Sequence, residues 1–338
     1  MSPSRKAATC RRTPNAATDE ISFRVFRVFH GKKIFVMSGD YQLVQLRSGA
    51  QTLFSASYGE KMHPGLGPAA EAELLYVRQL QIRERLQSGA GEFVVWDIGL
   101  GGAANATALL RATREIPGQL RIVSFDNTAE PLAFALNNAA ALNYPVGYEN
   151  QLAELLDLRS AQFQNGNCSV EWEFHLGDFP AWLERRAPSR PVDAIESQRA
   201  ETVLGAPAPH AIFYDAFSPA KNPAMWTLPV FENLFRALDS AQPCALTTYS
   251  RSTLLRATLL LAGFFVGVGH ATGMKEETTI AANRLDLITE PLNVRWLERA
   301  VRSDSAEPLH EPVYRRQKLS PETWERLRAH PQFRAIDV

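Results

Sequence analysis

The sequence predicts an α/β fold: a seven-stranded, mostly parallel sheet with helices on both faces and a small N-terminal β appendage. Three observations predict it. From residue 93 onward, apolar runs of strand length alternate with segments whose apolar residues recur at helical spacing. The first of these runs ends in a glycine turn, Gly99, Gly101 and Gly102, and a helical pattern starts immediately after it. Carboxylates close or follow successive runs, at Asp97, Asp126, Asp178 and Asp215.

Taken in order, residues 1–20 are basic, Ser/Thr/Ala-rich and poor in acids; the composition resembles a transit peptide, but a plain disordered tail is the favoured reading. Residues 21–90 hold short alternating runs (ISFRVFRVF, KIFVM, YQLVQL, TLFSASY) and then a helical segment from Pro68 to about Gly89; this is the β appendage plus helix. Strands are expected at 93–98, 120–126, 170–178, 210–217, 244–250, 264–269 and 284–289. Helices are expected at 103–115, 129–142, 179–186, 224–239 and 251–262. Residues 144–168 read as loop with a short helix, and 187–209, rich in Pro, Ala and charge, as an inserted loop. The main domain spans 91–292, and 293–338 reads as a C-terminal helix and tail.

The length of 338 residues suits one large α/β domain with an appendage, or two small domains, and the 45% hydrophobic and 21% charged composition is that of a globular protein. The 36 basic and 36 acidic residues cancel, so net charge announces no nucleic-acid partner and leaves only a local patch open. Cys10, Cys168 and Cys244 form no C-x-x-C pair; neither a disulfide framework nor a metal site is expected. No apolar run reaches membrane-spanning length, since 254–269 is interrupted by Arg256. No membrane partner is expected, and the expected location is the cytoplasm.

In a doubly wound parallel sheet the carboxyl ends of the strands line one crevice. Several carboxylates meeting there are costly unless a ligand supplies donors or positive charge. S-adenosyl-L-methionine supplies both. Asp126 suits its two ribose hydroxyls, Asp178 its adenine amine, Asp97 its ammonium side, and the turn at Gly99 and Gly101 permits close approach. A dinucleotide is the rival, because GLGGAA fits G-x-G-x-x-A and Asp126 follows at a suitable distance. A carboxylate directly before the glycines is unhelpful beside a pyrophosphate, and the acid ending the third strand has no dinucleotide role.

The second anchor is YDAFSPAKNPAMW, residues 214–226. Pro219 and Pro223 stiffen the loop after Asp215. Such a loop can aim side chains at a reacting atom, and methyl transfer to nitrogen depends on positioning. Asp215 is the candidate catalytic residue: it can hold an amine by its N–H and take up the proton that is lost. Phe217, Lys221 and Asn222 are candidate acceptor contacts; Phe217 and Trp226 serve equally as core, and Lys221 as a solvated charge. His63, beside Pro64, could reach the site from the N-terminal appendage but reads first as a loop residue, and Lys275, Glu276 and Glu277 read as a solvated turn.

DAFSPAKNPAMW closely resembles the D-G-F-x-P-x-K-N-P-x-M-W signature of MnmC-like tRNA methyltransferases. The likeness extends to DIGLGGAAN beside E-x-G-F-G-T-G-x-N, to SFD, to LGD and to YGEKMH, and covers roughly residues 50–290. Asp97 stands for the family's Glu, Ala103 for its third glycine, and Ala216 for the glycine after the central Asp. The resemblance implies a Rossmann-like S-adenosyl-L-methionine-dependent methyltransferase that converts a 5-aminomethyl wobble uridine of tRNA to 5-methylaminomethyl-2-thiouridine. By the same likeness Gly99, Gly101, Asp126 and Asp178 would bind the cofactor and Asp215 would sit at the transfer centre. Two other readings stay open: methyl or spermidine-synthase-like aminopropyl transfer to another amine, and a non-catalytic nucleotide- or RNA-binding module.

Overall fold

The computed structural model describes residues 25–29, 32–35, 39–89, 91–186, 206–272 and 275–334. The expected tail at 1–20 and nearly all of the expected insertion at 187–209 lie outside them. Residues 1–38 form one unit by themselves, whose described part is an antiparallel pair, β1 (Val25–Phe29) and β2 (Lys32–Phe35).

The second unit, residues 39–338, opens with a three-stranded antiparallel sheet: β3 (Tyr41–Gln45), β4 (Gln51–Ser55) and β5 (Glu60–Lys61). The segment expected to be one helix is broken. It runs as α1 (Pro68–Ala72), a π-helical turn at Glu73–Arg78 and α2 (Ile82–Ser88), with Gln81 in a left-handed conformation at the last break.

The large sheet holds β6 (Glu92–Ile98), β7 (Gly118–Asp126), β8 (Ser160–Asn165), β9 (Cys168–Leu176), β10 (Ala211–Tyr214), β11 (Ala245–Thr248), β12 (Phe265–Gly269) and β13 (Thr278–Ala282). Their order is β12-β13-β11-β10-β6-β7-β9-β8. Five central strands are mutually parallel; β13 and β8 run against their neighbours.

The strand count is therefore eight, not seven. The extra strand, β8, lies in the expected loop. It is a polar edge strand, SAQFQN, that pairs with β9 across a tight turn at Gly166 and Asn167. Only alternate residues of an edge strand need be apolar, so its signal was the Gly-Asn turn rather than an apolar run. The last expected strand, 284–289, is also displaced. The chain pairs at Thr278–Ala282 instead, and Leu285–Leu287 forms a 3-10 turn. Five consecutive buried residues, TTIAA, sit in a fully covered antiparallel position where Thr and Ala pack without projecting bulk.

Helices cover both faces. One core gathers α1, the π turn and α2 with α3 (Ala104–Thr113), α4 (Glu130–Asn137) and α6 (Glu149–Leu158), the short α5 (Ala139–Leu142) lying between the last two in sequence. The other gathers α7 (Phe179–Arg186), α8 (Leu228–Arg236), α9 (Thr253–Ala262), α10 (Val294–Val301) and α11 (Pro321–Arg328), followed in the chain by α12 (Pro331–Arg334). Strand order reverses between β6 and β10: the chain winds outward from β6 to β8 and then returns to the other side of β6. In such sheets the crevice above that switch point is where ligands bind. No helix among the described residues is long and apolar enough to cross a membrane.

Candidate active site

A cavity of about 570 Å³ opens above the carboxyl ends of β6, β7, β9 and β10 and is closed on one side by β5 and the loop that follows it. Gly99, Gly101, Asp126, Asp178, Asp215, Phe217 and Asn222 all line it.

The glycine-turn side of the cavity is built from backbone. The N–H groups of Gly99 and Leu100 both donate to the Phe125 carbonyl, at 2.9 and 3.1 Å, tying the glycine turn to the end of β7. The Gly101 N–H then donates to Asp126 Oδ2 at 2.9 Å, and the Thr128 N–H to Oδ1 at 3.3 Å. Burial raises the Asp126 pKa, and these backbone donors partly offset the rise. Asp178 is exposed at the mouth, and its Oδ1 accepts the Ala181 N–H at 2.7 Å, capping α7. A carboxylate aimed from a strand end, a second across the cavity, and a left-handed glycine turn between them fit S-adenosyl-L-methionine.

Asp97 is placed differently from the expectation. It is fully buried and is not on the cavity wall. It sits in register with Ser124 of β7, whose hydroxyl donates to Asp97 Oδ2 at 3.0 Å while accepting the Trp172 indole N–H at 2.9 Å. The Asp97 Oδ1 has no hydrogen-bond partner among the described residues. Burial pushes its pKa up to about 7, the Ser124 hydroxyl opposing.

A second polar cluster of the cavity centres on Asp215, the first residue after β10. Its Oδ2 accepts the Asn105 amide at 2.9 Å and lies 3.1 Å from His63 Nε2, which is also 3.1 Å from Asn105 Oδ1. Burial alone would raise the Asp215 pKa, but the His63 imidazolium and the Asn105 amide bring it below the usual carboxylate range. Burial alone would lower the His63 pKa; the Asp215 carboxylate outweighs this and pushes it up to about 9. Sequence reasoning took His63 for a loop residue. It does sit in a loop, but that loop folds over the cavity and delivers the imidazole to Asp215. Asn105 was not singled out at all; its signal was a polar residue in the otherwise apolar first turn of α3.

The YGEKMH stretch supplies more of the wall. Tyr58 stacks on Phe217, with ring centroids 4.1 Å apart and planes 16° from parallel. Glu60 accepts both the Ser218 N–H, at 3.1 Å, and the Ser218 hydroxyl, fastening the proline loop to β5. Lys221 is exposed and does not line the cavity. Trp226 is buried against Tyr214 and Phe231, and its indole donates to the Phe217 carbonyl at 2.7 Å. Lys275 is not a solvated turn: its ammonium lies 3.6 Å from the Tyr249 ring centroid, donates to the Tyr249 carbonyl at 3.0 Å and lines the cavity. Burial and Arg251 push its pKa down to about 8. Glu277 accepts from Arg256 at 3.1 Å. Among the described residues no group of three or more His, Cys, Asp or Glu side chains is placed to hold a metal ion.

Comparison with known proteins finds methyltransferases. A family described as S-adenosyl-L-methionine-dependent methyltransferase matches residues 199–284. The chain is similar to the tRNA 5-methylaminomethyl-2-thiouridine biosynthesis bifunctional protein MnmC of Cupriavidus metallidurans, 27% identical over 241 residues, covering 68% of this chain and 32% of that protein. It is similar to the MnmC of Cupriavidus necator, 28% identical over 260 residues, covering 73% of this chain and 36% of that one. The chain thus spans about a third of the length of these relatives. The crystal structure of MnmC2 from Aquifex aeolicus superposes with a TM-score of 0.59 at 22% identity, covering 86% of this chain and 83% of that one, and shows the same fold.

Proposed function

We propose that this MnmC-like, S-adenosyl-L-methionine-dependent methyltransferase methylates the aminomethyl group of a tRNA wobble uridine, giving 5-methylaminomethyl-2-thiouridine. The observation that carries the reading is Asp215: an ionised carboxylate at the switch point, facing a cavity, with the glycine turn on one side and the proline loop on the other. Asp126, Asp178, Gly99 and Gly101 hold the cofactor, which when bound supplies an activated methyl group.

Asp215 orients the acceptor by accepting its N–H. A carboxyl group held below its usual range is a poor proton acceptor, so its role is alignment rather than the proton uptake expected from sequence. The stacked Tyr58 and Phe217 offer an aromatic face for the uracil ring. A tRNA acceptor puts the work in the cytoplasm.

Mass analysis of nucleosides from the bulk tRNA of a strain lacking the gene tests the reading. One wobble uridine derivative should be lighter by a single CH2 group. Unchanged tRNA nucleosides would transfer the activity to another amine.

A further inference from the structure

His63 stands out on three independent counts. It is a non-glycine residue with a φ of 52°, in the left-handed region that a residue with a β-carbon adopts at a cost. Its side chain is only 12% exposed. It lies 3.1 Å from Asp215 Oδ2, the carboxylate oxygen that also accepts the Asn105 amide, and Asp215 lines the cavity.

We propose that His63 is a positioning residue that keeps Asp215 ionised and already charge-paired, so that the site admits its acceptor as the free amine and not as the ammonium ion. This rests on the N-methyl-transfer reading above but not on any particular acceptor.

The charges around the imidazole come from every element packed on it. Asp215 follows β10, Asn105 lies on α3, Glu71 on α1, Tyr76 on the π turn and Asp97 on β6. Glu71 is 1% exposed; its Oε1 accepts the N–H groups of Gly65, at 2.5 Å, and Gly67, at 3.3 Å. Glu71 also feels the positive charge of Lys275. The His63 imidazolium is thus held by Asp215 at 3.1 Å and also feels the Glu71 carboxylate, so the cation of this part of the wall is already supplied. An ammonium ion entering at Asp215 would be a second cation on one carboxylate, beside the sulfonium of the donor, in a site of low dielectric. A neutral amine avoids that repulsion. Its N–H donates to the carboxylate and its lone pair stays free.

That lone pair is what the reaction consumes. The acceptor nitrogen forms its bond to the methyl carbon as the carbon–sulfur bond breaks, and the electron pair of that bond stays on sulfur. The product is the methylated ammonium, which the site disfavours, so the same pairing that selects the free amine also promotes release. The proton passes to water outside the cavity.

Two measurements on the full chain test this. The first follows the histidine ring signals by NMR, with His63 identified by its loss in His63→Gln. His63 should be an imidazolium at pH 7.5, and neutral at that pH in Asp215→Asn. The second measures turnover against pH with tRNA bearing the aminomethyl uridine. Below the pKa of the acceptor amine, wild-type kcat should stay level while kcat/KM falls tenfold per pH unit. In His63→Gln the ammonium form binds unproductively, so kcat itself should fall tenfold per unit while KM, which rises tenfold per unit in the wild type, stays level. His63→Lys, which keeps a cation, should restore the level kcat. A purely structural role would not exchange a level kcat for a sloping one. A neutral His63 at pH 7.5 in the wild type, or a His63→Gln profile like the wild type's, overturns the proposal. A chain that methylates no amine overturns the N-methyl-transfer reading as well.

Discussion

The side chain that Gly99 lacks would begin 2.6 Å from the backbone oxygen of Asp215 and 2.9 Å from its carbonyl carbon. With a φ of 92°, Gly99 also occupies a conformation that side chains rarely adopt. The glycine turn is thus the surface against which the Asp215 backbone rests, and not merely a cradle for a ligand.

Gly99→Ala should therefore displace Asp215 and damage both stability and turnover. The expected loss is about 1–3 kcal/mol from backbone strain, before any relief by movement of the loop. Thermal melting and turnover on the same preparation check it; an alanine variant with wild-type values of both would show that the two segments separate freely.

Asp215→Ala should reduce turnover at least about a hundredfold, because alignment of the amine is lost, while the cofactor still binds. Calorimetric titration with S-adenosyl-L-methionine should give an affinity within about threefold of wild type, since the cofactor contacts assigned here come from other residues. Unchanged turnover would remove Asp215 from the reaction.

Asp126→Ala should weaken cofactor binding by about 1.5–3 kcal/mol, the usual worth of hydrogen bonds to a charged group. The same titration reads it as a roughly tenfold to hundredfold rise in Kd. Wild-type affinity would contradict the ribose assignment.

Asp97→Asn should stabilise the protein, and more so at pH 8 than at pH 5. The Asp97 pKa is raised by burial from 3.8 to about 7, so between those values the unfolded chain has released a proton that the folded chain keeps. Stability therefore falls as pH rises through that window, and the penalty is complete above it. An amide carries no charge to bury. Melting curves at the two pH values check this; a gain independent of pH would mean that Asp97 is ionised in the fold throughout the range.

Much of the sheet was legible because burial on both faces writes itself into composition. FVVWDI, RIVSFD and AIFY are continuous apolar runs interrupted only where a strand needs a polar partner or ends. The strand Ser160–Asn165 was not legible as an apolar run, because an edge strand needs burial on one face only. The strand Thr278–Ala282 was missed because small side chains carry weak pattern, while the neighbouring RLDLIT alternates without pairing. At the site, Asp126, Asp178 and Asp215 could be named because each closes a run whose end must face the crevice. His63 and Asn105 close the quoted stretches YGEKMH and DIGLGGAAN, but nothing local tells that both side chains meet Asp215.

What the sequence determined alone was the set of strand ends and the turn chemistry between them, since apolar periodicity and glycine placement act over a few residues. Which carboxylates reach the cavity was decided by the tertiary structure. Asp97 turns sideways to the Ser124 hydroxyl and lies behind the wall. Residues separated by 152 positions in the chain, His63 and Asp215, meet at 3.1 Å because β5 and its loop fold over the switch point. The physical reason is that pairing energy depends on distance through space and on the exclusion of water, and neither is set until the sheet and the covering loop are both in place.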